Sequence, residues 1–243
     1  MTTVHPALSF ELFPPRSHAS CESLIRTIAE LESTNPDYVS VTYSGDAKRR
    51  QKTLALLDYL VELIRRVERE DFAHLAAGKV SIGVAAYPQK HPESASLLQD
   101  IEILLSKQRA GADFAITQVF FEDERYSALV DSARLAGVDI PIIPGIMPVT
   151  SLKRLQNLCQ MAGMEVPTDL AYALETATSS AELHRIGVDY ALNQCRAVMD
   201  AGAPGLHFFT FNEHAAVLDV LDQLDLPRYS NRFSQSLSEL EFA

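Results

Sequence analysis

The chain has 243 residues, 47 % hydrophobic and 22 % charged, enough for one domain of about 250 residues or two small ones, with a core that needs no disulfide or metal. Lys and Arg number 21 against 32 Asp and Glu; the net charge of −11 argues against nucleic acid and anionic membrane as partners, yet allows one local basic pocket. Cys21, Cys159 and Cys195 are scattered and form no C-x-x-C pair, which fits buried thiols in a reducing compartment; no leader-like start and no apolar run of about 18 residues is found, so a cytoplasmic location is expected.

Short β-branched and aromatic runs alternate with longer stretches of helical period. Strands are expected at 7–12, 38–43, 80–87, 114–121, 140–147 and 206–211. Between them, Leu24, Ile28 and Leu31 follow a polar start at Ser17–His18, and Leu57, Leu60, Ile64 and Val67 form a second stripe. A third carries Leu97, Ile101, Leu104 and Leu105 and stops at Gly111. A fourth carries Tyr126, Leu129, Val130 and Ala133 and ends before Gly137. Thr150 is the expected N-cap for Leu152, Leu155 and Leu158, and Ser179 with Glu182 fits a capping box ahead of Leu183, Ile186 and Tyr190. A last helix is expected over 212–224, and residues 227–243 read as a C-terminal tail outside a catalytic domain of residues 1–226.

Strands separated by helices imply parallel pairing through right-handed crossovers. Runs that are apolar on both faces, such as Ile140–Ile146, fit a sheet covered on both sides. No G-x-G-x-x-G follows the first strand, which favours an α/β barrel of the (β/α)8 TIM type over a dinucleotide-binding open sheet. Only six strands are found where eight are needed, and the interval from Tyr43 to Val80 holds no clear one.

Barrels of this kind carry their chemistry at the carboxyl ends of the strands. There lie Glu11, Thr42 with Tyr43, Tyr87 with His91, Thr117 with Gln118, the Pro144–Pro148 turn, and His207, Thr210 and Asn212. Glu11 interrupts an apolar run: it is a general acid with a raised pKa, or a structural glutamate paired with Arg16. Tyr87 and His91 follow the small residues Gly83, Ala85 and Ala86, which let a flat ligand approach, or else form a surface turn. Asp100 and Lys107 share one helical face, ordinarily a solvated one. Gln118 is able to bond a heterocycle edge or to cap its strand, and Phe209 is a stacking platform or core.

Six segments, in order, resemble the methylenetetrahydrofolate reductase family: Ser-Phe-Glu-Leu-Phe-Pro-Pro-Arg (9–16), Tyr-Val-Ser-Val-Thr-Tyr (38–43), Val-Ala-Ala-Tyr-Pro-x-x-His-Pro-Glu (84–93), Ala-Gly-Ala-Asp-Phe-x-Ile-Thr-Gln-x-Phe-Phe (110–121), Pro-Ile-Ile-Pro-Gly-Ile-Met-Pro (141–148) and Leu-His-Phe-Phe-Thr (206–210). The resemblance implies reduction of 5,10-methylenetetrahydrofolate to 5-methyltetrahydrofolate by hydride from NADH or NADPH, through FAD in most relatives, within one-carbon metabolism that feeds methionine biosynthesis. It implies Glu11 as general acid, Gln118 and Phe209 as folate contacts, and Thr42, Tyr87, His91, Asp100 and Lys107 as flavin contacts. A homo-oligomer is expected by the same likeness.

The chain also departs from that pattern. Relatives carry about 45 more residues after the second strand, which supply the third and fourth strands of the barrel and end in His-Leu-Thr and Arg-Gly-Asp. Their absence makes the expected barrel incomplete. After the last strand relatives have Asn-Arg, whereas this chain has Asn212-Glu213-His214. These gaps motivate two alternatives: a flavin-independent form of the same reaction, and a non-catalytic folate-binding or complex-forming subunit.

Overall fold

The computed structural model describes residues 7–12, 26, 27, 30, 31, 34, 38–41, 81–211 and 213–224. Among the described residues there are seven short strands: β1 (Ala7–Leu12), β2 (Tyr38–Val41), β3 (Gly83–Ala86), β4 (Phe114–Thr117), β5 (Ile142–Ile143), β6 (Gly145–Ile146) and β7 (Gly205–Phe209). The helices with described bounds are α1 (Leu97–Ala110), α2 (Asp123–Leu135), α3 (Leu152–Ala162), α4 (Thr168–Thr176), α5 (Ser180–Asp200) and α6 (Ala215–Gln223).

Among the described residues the pairings are parallel, in two ladders of order β2-β1-β7-β6 and β3-β4-β5. The expected fifth strand is split at Pro144. Proline has no N–H to donate, and the run changes partners across it. Ile142 and Ile143 pair with Ala115 and Ile116, while Gly145 and Ile146 pair with His207 and Phe208. The Pro144 carbonyl still accepts the His207 N–H at 3.0 Å, so the chain links the two ladders into one arc.

The first strand pairs with the last, with Ser9 opposite His207 and Glu11 opposite Phe209. That closure is barrel-like. Among the described residues, nothing pairs with the far side of β2 or of β3, so a complete eight-stranded ring is not seen.

Packing follows the two faces of each strand. Val84 and Ala86 are buried while Gly83 and Ala85 are exposed, because successive side chains point to opposite faces. The outward set joins Phe10, Phe208, Leu206, Ile142 and Ile146 with Ile101, Leu104, Leu129 and Ala191 from the helices. Phe10 and Phe208 lie 6.2 Å apart, ring to ring. A second cluster gathers Val119, Phe121, Met147 and Val149, beyond β4 and β6, with Leu155, Leu158, Leu170 and Leu174 of α3 and α4.

Local signals explain most helix limits. Ser96 caps α1 by accepting the Gln99 N–H, and Gly111 ends it at φ 112, where a side chain would be strained. Ser179 accepts the Glu182 N–H as expected, but the Glu182 carboxylate reaches back to the Thr178 N–H rather than to the cap residue's own. The N-cap of α3 is Ser151 instead of Thr150, and the last helix starts at Ala215 instead of residue 212. Helix α4 is an addition to the expected set. It begins at the Pro167 cap and buries only Leu170 and Leu174, a stripe too short to stand out by period. In the first expected helix, residues 26, 27, 30 and 31 are helical; the second stripe (57–67) and the tail at 227–243 lie outside the described residues.

Candidate active site

The inward faces of β1, β3, β4 and β7 enclose a cavity of about 380 Å³ lined by Glu11, Gly83, Ala85, Tyr87, Phe114, Ile116, Thr117, Gln118, His207 and Phe209 among others. Backbone size sets its shape. A Cβ on Gly145 would meet the Thr117 carbonyl oxygen at 2.4 Å and the Phe209 ring at 2.5 Å, so only glycine lets β6 pass behind that ring. The Gly145 N–H in turn donates to Thr117 Oγ1 at 2.8 Å.

Glu11 sits on this wall, 9 % exposed. Burial disfavours its carboxylate and pushes the pKa from 4.5 up to about 7, so half the population holds a proton near neutral pH. The arginine expected as its structural alternative, Arg16, lies outside the described residues. One layer further down on the same face, Ser9 Oγ and His207 Nδ1 are 2.8 Å apart, and both groups are 1 % exposed. Desolvation lowers the His207 pKa from 6.5 to about 4, keeping the imidazole neutral. Its ring meets Phe209 edge-on at 5.0 Å. The role of Ser9 was hidden in the sequence, since an isolated serine two residues before Glu11 gains meaning only when β7 pairs with β1.

Gln118 sits at the end of β4 with its Oε1 accepting the Val119 N–H at 3.0 Å. Its amide nitrogen is thereby left as the end able to donate to a ligand in the cavity it lines. Phe209 is half-buried and lines the same cavity, so it is a wall as well as core.

The β3–α1 connection is a built turn, not a loose surface loop. Tyr87 and His91 meet edge-to-face at 4.6 Å, and His91 is 7 % exposed. The Asp100 carboxylate accepts the His91 N–H at 2.8 Å and the Ser94 hydroxyl, from the first turn of α1 where the helix dipole favours an anion. Lys90 Nζ donates to the carbonyls of His91 and Ser94. Lys107 is 3 % exposed and donates to the Ala85 carbonyl at 2.9 Å, which overturns the solvated-face expectation for that side chain. Asp100→Ala should free two donors at a cost of about 1–3 kcal/mol. Faster hydrogen exchange at the His91 amide, with the α2 amides unchanged, would report it.

The residues present offer a surface to the planar part of an FAD. Exposed Gly83 and Ala85 with the Tyr87–His91 pair leave a flat, open strip for a planar ring. A Cβ on Gly83 would strike the Phe114 ring at 2.5 Å. Lys107 donates to the Ala85 carbonyl, and Asp100 accepts the His91 N–H and the Ser94 hydroxyl. Thr42 lies outside the described residues. Among the described residues there is no cluster of His, Cys, Asp and Glu fit to hold a metal, and no helix long and apolar enough to cross a membrane.

A parallel α/β array whose first and last strands pair, with a proton-holding carboxyl over an apolar cleft at the strand ends, is the arrangement of a strand-end α/β enzyme. The family profile of methylenetetrahydrofolate reductase matches residues 2–61 and 55–225. The chain is 30 % identical to the 5,10-methylenetetrahydrofolate reductases of Salmonella typhimurium and of Escherichia coli, over 84 % of its own length and 86 % of theirs. The chain therefore belongs to the methylenetetrahydrofolate reductase family. The two matched segments overlap at residues 55–61, between β2 and β3, the interval in which the sequence is short of strands. Among solved structures, a Clostridium thermocellum protein described as binding two copies of 5-methyl-5,6,7,8-tetrahydrofolic acid matches with a TM-score of 0.59 at 12 % identity, over 90 % of this chain and 95 % of that one, a likeness of fold.

Proposed function

We propose that this chain reduces 5,10-methylenetetrahydrofolate to 5-methyltetrahydrofolate with hydride from NADH or NADPH, and that Glu11 is its general acid. The observation that carries the mechanism is a carboxyl 9 % exposed whose pKa burial raises to about 7, on the wall of a cavity wide enough for a fused heterocycle. The substrate carbon sits between two nitrogens in a five-membered ring. Protonation of one nitrogen by Glu11 opens that ring and leaves an iminium on the other. The iminium carbon accepts the hydride and becomes the methyl group, and Glu11 recovers its proton from solvent.

Gln118 donates to an acceptor on the heterocycle edge, and Phe209 covers one side of the ring. Tyr87 and His91 border the strip of β3 on which a flavin or the nicotinamide itself would lie. A flavin bound there supplies a relay for the hydride between the two substrates. The direct version, without flavin, is the second reading, motivated by the absence from the sequence of the two flavin-contacting segments that relatives carry after the second strand.

Purified chain mixed with NADH or NADPH and methylenetetrahydrofolate should oxidise the nicotinamide and form methyltetrahydrofolate. No consumption with either nucleotide, with or without added FAD, would remove the reading. A yellow preparation with flavin absorbance selects the relay; a colourless, active one selects direct transfer.

A further inference from the structure

Gln118 stands where β4 gives out, and its side chain is tied to its own backbone: Oε1 accepts the Val119 N–H at 3.0 Å. The amide is therefore aimed only as well as the peptide after it is placed. The last rung of the ladder is the Gln118 N–H on the Ala86 carbonyl at 2.8 Å. Past that rung residues 119–121 leave the sheet and run towards α2, buried, where carbonyls need donors from elsewhere. Two of those donors come from α5. Gln194 Nε2 donates to the Phe120 carbonyl at 2.8 Å, and the Tyr190 hydroxyl donates to the Phe121 carbonyl at 2.7 Å. The Phe121 and Tyr190 rings also meet edge-on, with centres 6.2 Å apart.

The helix is built to reach this run. Tyr190 and Gln194 are four residues apart, on one face of α5. Gly187 lies on that face one turn earlier, and a Cβ there would meet the Val149 carbonyl oxygen at 2.5 Å, so the helix backbone comes in close. Gln194 is 3 % exposed, beside the buried and apolar Ala191, Cys195 and Val198. An amide in such a place is costly unless bonded, and a methionine of like length would pack there without that demand. What the amide adds is a fixed position for one carbonyl, two residues beyond Gln118.

We propose that Gln194 and Tyr190 are positioning residues for the substrate: they pin the backbone after β4 so that Gln118 turns its amide N–H onto the heterocycle. This rests on the folate reading above. Neither side chain lines the central cavity, so both act through Gln118.

The test is a pair of double-mutant cycles, read as the affinity of the full chain for 5-methyltetrahydrofolate. Gln194→Met and Tyr190→Phe each remove one donor and nearly keep the volume. With Gln118 present, Gln194→Met should weaken binding about fivefold and Tyr190→Phe about threefold, the scale of one hydrogen bond drawn off its line. In the Gln118→Ala background neither substitution should weaken it further, because the side chain they aim is gone. Tyr190→Phe, the milder change, decides the matter by itself if Gln194→Met does not fold. Equal weakening with and without Gln118 would mean general damage to the cavity and would overturn the proposal. So would unchanged affinity in both single variants, or in Gln118→Ala itself, while the folate site stands. If the wild type does not bind 5-methyltetrahydrofolate, the folate reading falls and takes this inference with it.

Discussion

Glu11→Gln is expected to lower turnover roughly 10²–10³-fold, the scale of a lost general acid, with 5-methyltetrahydrofolate binding left near normal. The amide matches the shape of a protonated carboxyl and can still donate a hydrogen bond, but it has no proton to transfer. In the wild-type chain kcat/KM should be level below pH 7 and fall about tenfold per pH unit above it, because the acid is spent once the carboxyl at about 7 ionises. The residual rate of the variant should lack that break. A variant that keeps wild-type turnover, or keeps the same pH break, would take the acid role away from Glu11.

The same substitution has a stability signature of known sign. The folded chain holds the Glu11 proton up to about pH 7, whereas an unfolded carboxyl near 4.5 has already released it. Stability therefore falls as pH rises from 4.5 to 7, by about 3 kcal/mol in total. Glutamine does not titrate, so the variant escapes the loss: it should be the more stable protein at pH 8 and lose that advantage by pH 4.5. An acid kept protonated inside a fold costs stability in the pH range where it is useful.

The parts of this architecture legible in the sequence are those written in local chemistry. Gly111 as a helix stop, Ser179 as a cap, and the apolar run at β1 need only their neighbours to be read. Glu11 and Gln118 stood out as polar residues at strand ends, and the structure brings both to one cavity. What stayed hidden depends on partners far along the chain. Ser9 and His207 are 198 residues apart, and the bond from Gln194 to the Phe120 carbonyl spans 74. Pro144 was visible as a turn residue, but the switch of partner across it follows from which strands flank it. Lys107 misled because a helical spacing of seven says which face a side chain shares and nothing about depth. Its long apolar stem runs inward to a carbonyl of β3.

His207→Asn should reverse the pH dependence of stability seen with Glu11→Gln. The imidazole titrates near 6.5 in an unfolded chain and at about 4 when buried, so the unfolded state binds the extra proton first. Its contribution is fully present above pH 6.5 and is lost as pH falls to about 4, again by about 3 kcal/mol. Asparagine can place an amide near Ser9 Oγ in the position of Nδ1 and removes the titration. Over pH 4.5–6.5 the two groups pull in opposite directions, one losing stability as protons leave and the other as protons arrive. Urea unfolding of the wild type against each variant separates them. Relative to wild type, His207→Asn should gain stability as pH falls from 6.5 to 4, and Glu11→Gln should gain it as pH rises from 4.5 to 7. The two effects share one cause, since the wall that keeps an acid protonated also keeps the nearby base unprotonated. A cationic His207 would draw the proton off Glu11. Parallel pH profiles in wild type and His207→Asn would mean that the imidazole is not held neutral, and the reason for Glu11 keeping its proton at neutral pH would have to be sought elsewhere in the wall.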